Sequence, residues 1–248
     1  MNLGSFKPDW LSPDGTIELA CADIRDVLTQ IDPAKIGCVI TDPPYEISTN
    51  ASGFDGDRKY LKDIRGFTDE GFDPSVISHF PNWMVFCTAK QIPGMFPHVG
   101  KDRSWMLVTW NKPNPTPLVK NTYLPDTEYI FHCWSKGCLY GEYADKSRFI
   151  VYPAQQDLWH PNEKPIPVMR KCVKVGSDVG QVVLDPYAGS GTTPVVCAAL
   201  GRCCIAIERD KRHYATMLAR VRDEISRPRF DFSSQPDAIQ RDLLAETV

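Results

Sequence analysis

Residues 182–225 leave little choice of architecture. Val182-Val183-Leu184 is a short apolar run that opens onto Asp185-Pro186-Tyr187-Ala188-Gly189-Ser190-Gly191-Thr192-Thr193. An apolar helical pattern follows from Pro194 to Leu200 and stops at Gly201, where a residue free to take positive φ ends a helix. Cys203 to Ile207 reads as a second strand ending at Glu208, and a longer helical pattern runs from Asp210 to Ile225. Strands joined through a helix must lie parallel, because a tight hairpin cannot make that connection. An α/β fold on a mostly parallel sheet follows.

Upstream, Gly37-Cys38-Val39-Ile40 is a second strand that opens onto a polar turn, Thr41-Asp42-Pro43-Pro44-Tyr45. Further strands are expected at Ile17–Ala22, Trp83–Thr88, Ser104–Trp110 and Glu128–Trp134, which makes seven. The pair 104–110 and 128–134 flanks a proline-rich connection, Lys112–Pro125, and reads as antiparallel. Residues 46–72 are polar and glycine-rich, long for a connection in a compact domain, and expected to be a functional or mobile loop. Residues 1–225 are expected to form one domain, with residues 226–248 a polar tail.

Composition narrows the function classes. At 248 residues with 42% hydrophobic and 24% charged side chains, the chain can build a full core. No apolar run approaches the roughly 18 residues of a membrane span, and the first residues, MNLGSFKPDW, do not read as a secretion signal. A cytoplasmic protein is expected. The nine cysteines include no CxxC pair and several sit in apolar runs (Cys38, Cys87, Cys197), so they read as reduced core residues, with no metal site expected. The net charge of −3 argues against a surface that binds polyanions everywhere, but residues 101–174 carry a net +4. That third is the one suited to phosphates.

Two motifs carry chemistry. The 185–193 turn lies between a parallel strand and a helix, where a ligand approaches backbone closely at the carboxyl edge of a sheet. A dinucleotide site would show G-x-G-x-x-G; here only Gly-Ser-Gly occurs, behind an acidic residue that would repel pyrophosphate and suit a cation. Glu208 ends the next strand, placed to accept from both hydroxyls of a ribose. A ribose, a positive centre and no phosphate describe S-adenosylmethionine. The second motif, Asp42-Pro43-Pro44-Tyr45, lacks two N–H donors and presents carbonyls and one carboxylate. Such an acceptor-only loop suits the exocyclic NH2 of a base, with Tyr45 as a stacking face.

These motifs, with His160-Pro161-Asn162-Glu163-Lys164-Pro165 ahead of the glycine turn, resemble the amino-methyltransferases of DNA modification in their β-class, permuted order. The resemblance covers residues 17–45, 83–137 and 160–215. It implies a Rossmann-like S-adenosylmethionine-dependent methyltransferase fold: a seven-stranded, mostly parallel sheet with one antiparallel strand and helices on both faces. It implies catalytic roles for Asp42, Pro43, Pro44 and Tyr45. It places Asp185, Pro186, Tyr187, Gly189, Gly191 and Thr192 around the cofactor, Glu208 on its ribose, Asp23 at its adenine, and Lys164 and Pro165 beside its carboxylate. Asp23 reads equally as the N-cap of a helix over 24–30.

The implied reaction flips the target base out of the duplex and transfers the methyl group directly to its amine. A 5-methylcytosine enzyme would need a nucleophilic cysteine, typically after proline, and no cysteine here follows one. In the family an Asp at the first motif position goes with adenine and a Ser with cytosine, so Asp42 favours N6-adenine over N4-cytosine. Only residues 138–159 remain for target recognition, which implies a short target, a share for the 46–72 loop, or a dimer reading two half-sites. Lys112, Lys120, Lys136, Lys146 and Arg148 are the expected phosphate contacts. A bacterial or phage modification enzyme acting on double-stranded DNA is the resulting expectation. RNA or protein methyltransferases usually place the cofactor loop first, whereas here it follows Asp42 by 143 residues. The remaining alternative is a non-catalytic relic on the same scaffold.

Overall fold

The structure, a computed structural model, describes residues 5–44, 72–115, 123–154 and 163–227. Nine strands among them form one sheet: β1 (Trp10–Leu11), β2 (Ile17–Ala20), β3 (Cys38–Thr41), β4 (Asn82–Cys87), β5 (Ser104–Asn111), β6 (Thr127–Trp134), β7 (Phe149–Val151), β8 (Val182–Asp185) and β9 (Cys203–Ile207). Their spatial order is β1-β2-β9-β8-β3-β4-β6-β5-β7. The central strands β3, β4 and β8 are buried along their whole length, as strands covered on both faces must be. All seven expected strands are present, with ends shifted by a residue or two. Within that set β6 alone runs against its neighbours β4 and β5, which makes the 104–134 hairpin antiparallel as read.

Two strands were not expected. β1 pairs antiparallel with β2 at one edge, and β7, inside the 138–159 insert, pairs parallel with β5 at the other. At two and three residues they are too short to show periodicity, so pairing with an existing edge defines them.

Among the described residues the α-helices are α1 (Ile24–Val27), α2 (Ile92–Met95), α3 (Ile166–Gly176), α4 (Thr192–Leu200) and α5 (Lys211–Ser226). On one face α3, α4 and α5 enclose a core that includes Ile40, Met84, Val173, Val196 and Met217. On the other, α1, α2 and short 3-10 turns cover Val39, Trp83, Val85, Phe80 and Leu184. α3 was not anticipated. Its apolar stripe of Val168, Met169, Cys172 and Val173 is interrupted by Arg170, Lys171 and Lys174, which face outward. α4 is almost wholly buried and ends at Gly201; α5 starts at Asp210, whose side chain accepts from the Arg212 and His213 amides. No helix among the described residues is long and apolar enough to cross a membrane. Most of the 46–72 loop, part of the 112–125 connection and nearly all of the 226–248 tail lie outside the described residues.

Candidate active site at the carboxyl edge of the sheet

Parallel strands bring their carboxyl ends to one edge, and the motif residues gather there. Asp42 follows β3, Asp185 ends β8, Glu208 follows β9, and Asp23 follows β2. Because β6 is reversed, its second residue, Glu128, reaches the same edge opposite Trp110. Tyr45, His160, Pro161 and Asn162 lie outside the described residues, as does Lys120.

Asp185 does not point into open space. Its side chain is buried, and its two oxygens accept from Thr41 Oγ1 at 2.8 Å and Thr193 Oγ1 at 2.5 Å, with the Tyr187 amide at 3.1 Å. Burial pushes its carboxyl up to about 7, against those hydrogen bonds, which pull it down. Asp185 therefore fastens the end of β3, immediately before Asp42, to the start of α4.

The turn that follows divides its two glycines between tasks. Gly191 has φ +87°, and a Cβ there would stand 2.6 Å from Cγ of Met217, so it lets α5 lie against the loop. Gly189 has φ +53°, and a Cβ there would meet nothing within 4 Å. Its amide donates to Glu208 Oε2 at 2.9 Å, while the Asp210 amide donates to Oε1 at 2.7 Å. Burial raises the Glu208 carboxyl above its ordinary range. Tyr187, half-buried beside them, meets Phe72 edge-to-face at 5.9 Å. The loop is also gripped from behind: Arg220 of α5 donates to the Ser190 carbonyl and hydroxyl, both at 2.9 Å, and to Glu163 at 2.5 Å.

Asp23 caps α1 by accepting from the Arg25 amide at 3.0 Å, and the Arg25 guanidinium holds its carboxyl down to about 2. Lys164 is buried against Asp42, with its ammonium 2.6 Å from Oδ2, and also reaches Glu128 at 3.3 Å. Pro165 beside it occupies the N-cap position of α3, with no side-chain hydrogen bond to the helix. Burial disfavours the Lys164 ammonium, but the Asp42 and Glu128 carboxylates outweigh it and hold the group above the usual lysine range. Glu128 is likewise pushed up by burial and pulled further down by Lys164 and Lys112, ending below the ordinary carboxylate range.

A family comparison decides what this edge belongs to. Residues 36–219 match the N6/N4 methyltransferase family model, described as DNA methylase. The chain belongs to the N6/N4 DNA methylases. Among relatives, the type II methyltransferase M.SmaI of Serratia marcescens is 36% identical over 140 residues, 47% of either chain. The chain thus spans about half the length of M.SmaI. M2.MboI of Moraxella bovis is 24% identical over 243 residues, covering 83% of this chain and 87% of that one. The M1.HpyAVI–SAM complex shares the fold with a TM-score of 0.62 at 22% identity, over 83% of this chain and 99% of that chain. The cytosine-N4-specific PvuII DNA methyltransferase does so with a TM-score of 0.64 at 13% identity, over 91% and 96%.

In this DNA methylase the expected phosphate contacts do not share one surface. Lys112 is an ion-pair partner of Glu128 and lies over the Trp110 ring at 4.8 Å. Lys136 follows the far end of β6, whose Trp134 pairs with the first residue of β4, so it sits at the amino edge, away from Asp42. Lys146 adjoins Asp145, which pairs with Lys174 in the last turn of α3, again at that far edge. Arg148 precedes β7, and its guanidinium donates to Sδ of Met106. Residues missed from sequence are Glu128, Thr41, Thr193 and Arg220. Glu128 carried a signal, an acidic residue opening an otherwise apolar strand; the others did not.

Proposed function

We propose that this DNA methylase moves a methyl group from S-adenosylmethionine to the exocyclic N6 amine of adenine in duplex DNA. The observation that carries the reading is the joining of two segments 143 residues apart: Asp42 lies next to Thr41, which donates to Asp185 at the head of the glycine loop. The loop fits the cofactor, since the space beside Gly189 is open and the Glu208 carboxylate borders it. Tyr187, Gly189 and Glu208 would hold the ligand, with Pro186, Gly191 and Thr192 as the frame and Asp23 at the adenine end. Bound there, S-adenosylmethionine would supply an electrophilic methyl group for direct displacement by the target amine, the C–S electron pair remaining on sulfur and the amine's surplus proton passing to water.

The chain's part is positioning and electrostatics. The target base leaves the stack at a cost of a few kcal/mol. The Asp42 carboxylate and the Pro43 carbonyl accept from its NH2, and neither Pro43 nor Pro44 has an N–H that would compete. Tyr45 is the proposed stacking face. Duplex DNA is taken to approach from the carboxyl edge, which removes Lys136 and Lys146 from the set of phosphate contacts. Relatives named as type II methyltransferases support a place in bacterial restriction-modification, hence in the cytoplasm.

N4-cytosine is the second reading, favoured by the fold shared with a cytosine-N4-specific enzyme. The same acceptors would serve that amine. Incubation with labelled S-adenosylmethionine and unmethylated duplex DNA, followed by nucleoside analysis, separates the two. N6-methyladenine is expected, N4-methylcytosine would move the base assignment, and label in neither would reject DNA amine transfer.

A further inference from the structure

We propose that Lys164, held between Asp42 and Glu128, is a positioning residue of the acceptor site and not a ligand of the cofactor's carboxylate. Its ammonium keeps the Asp42 carboxylate ionised and fixed in direction, and Glu128 fixes the ammonium. This rests on the reading that Asp42 accepts from the target amine.

Four side chains of alternating charge run from the site toward the end of the 104–134 hairpin: Asp42, Lys164, Glu128 and Lys112. Lys164 is only 6% exposed, sits over the Phe86 ring at 5.3 Å, and meets a carboxylate on each side. Burying such a set costs desolvation that apolar residues of the same size would avoid, so it is weak as a device for stability. It is effective for holding a carboxylate in its charged form, because an opposite charge within about 4–6 Å favours ionisation. An amine donor is served best by that form: the carboxylate accepts at both oxygens, whereas a protonated Asp42 would turn one of them into an O–H donor.

Among the described residues, two other titratable groups near Asp42, Asp185 and Cys87, do not supply this charge. Asp185 on β8 has its carboxyl pushed up to about 7, and the Cys87 thiol at the end of β4 is pushed up to about 12; burial is the main cause in both. Glu128 and Lys112 act on Asp42 through Lys164. The consequence is a sign rule. Removing the cation makes Asp42 harder to ionise; removing Glu128 does not.

Single-turnover methylation of unmethylated duplex DNA between pH 5.5 and 8.5 tests the rule in Lys164→Met, Lys164→Arg and Glu128→Gln. In Lys164→Met the acid limb is expected to move up by about three pH units, into the measured range, a roughly tenfold loss at pH 6 that shrinks toward pH 8.5. Lys164→Arg should restore the limb, and Glu128→Gln should leave it in place or move it down. The Kd for S-adenosylmethionine should stay within about threefold in Lys164→Met. A higher Kd with an unmoved limb would assign Lys164 to the cofactor and overturn the proposal. So would an equal loss at every pH that Lys164→Arg does not repair. If Lys164→Met does not fold, Lys164→Gln serves in its place. Carbon-13 titration of the aspartate carboxyls, with Asp42 assigned through Asp42→Asn, reads the same displacement without turnover. A wild-type chain that methylates no DNA would therefore sink the functional reading and still leave the proposal open to refutation.

Discussion

A carboxylate shut away from water is a pH-dependent element of stability, and Asp185 is shut away on every side. Its carboxyl stands at about 7, mainly through burial, against an ordinary value of 3.8. The folded chain then holds this proton more tightly than the unfolded chain. The associated stability is full below about pH 4 and is lost as pH rises through about 7. Asp185→Asn keeps the shape and loses the titration. Its melting temperature should fall less than that of wild type between pH 5 and 8, by about 3 °C or more, and parallel curves would refute the assignment. The two glycines of the same turn give a second contrast. Gly191→Ala drives a Cβ into Met217 at positive φ and should cost about 2–4 kcal/mol in denaturant unfolding. Gly189→Ala meets no neighbour and should cost about 1–2 kcal/mol, yet raise the Kd for S-adenosylmethionine about tenfold or more. At this scale the sequence names the reactive residue types but not where their side chains end. Asp185 and Lys164 both stand in motifs, yet their partners Thr41 and Glu128 are brought to them by sheet register, which no local pattern encodes.

Elements were more legible than side-chain partners. β3, β8 and β9 are continuous apolar runs with turn residues beyond them, and their pairing as parallel neighbours follows from the helix between β8 and β9. β7 could not be read because three residues carry no period. The antiparallel insertion of β6 between β4 and β5 was legible only as a hairpin; its second partner, β4, is fixed by buried polar groups. Asn82 on β4 accepts at Oδ1 from His132 Nε2 at 2.9 Å, and its Nδ2 donates to the Cys138 and Gly176 carbonyls at 3.0 and 2.9 Å. Asn82→Ala would leave those groups buried without partners and should cost about 3 kcal/mol in urea unfolding. Burial also pushes the His132 imidazole down to about 3, so this pair is neutral in the folded chain. Its share of stability is present above about pH 6.5 and drains away as pH falls toward 3.

Across the whole molecule, the groups proposed for chemistry occupy one edge of the sheet and the basic residues Lys136 and Lys146 the other. The double variant Lys136→Ala/Lys146→Ala should therefore leave the salt dependence of DNA affinity unchanged. If both lysines touched phosphates, the slope of log K against log salt would shrink by nearly two. The sheet order has a consequence for biosynthesis. β8 and β9 stand between β2 and β3, so the earliest strands to leave the ribosome flank a gap that only the last strands fill. Until residues 182–207 emerge, the edges of β2 and β3 that β9 and β8 will cover have no partner from this pair, and an open edge can capture a strand from another chain. The sheet closes like an arch whose keystone arrives last, and a nascent chain stalled before Val182 is a natural client for a chaperone.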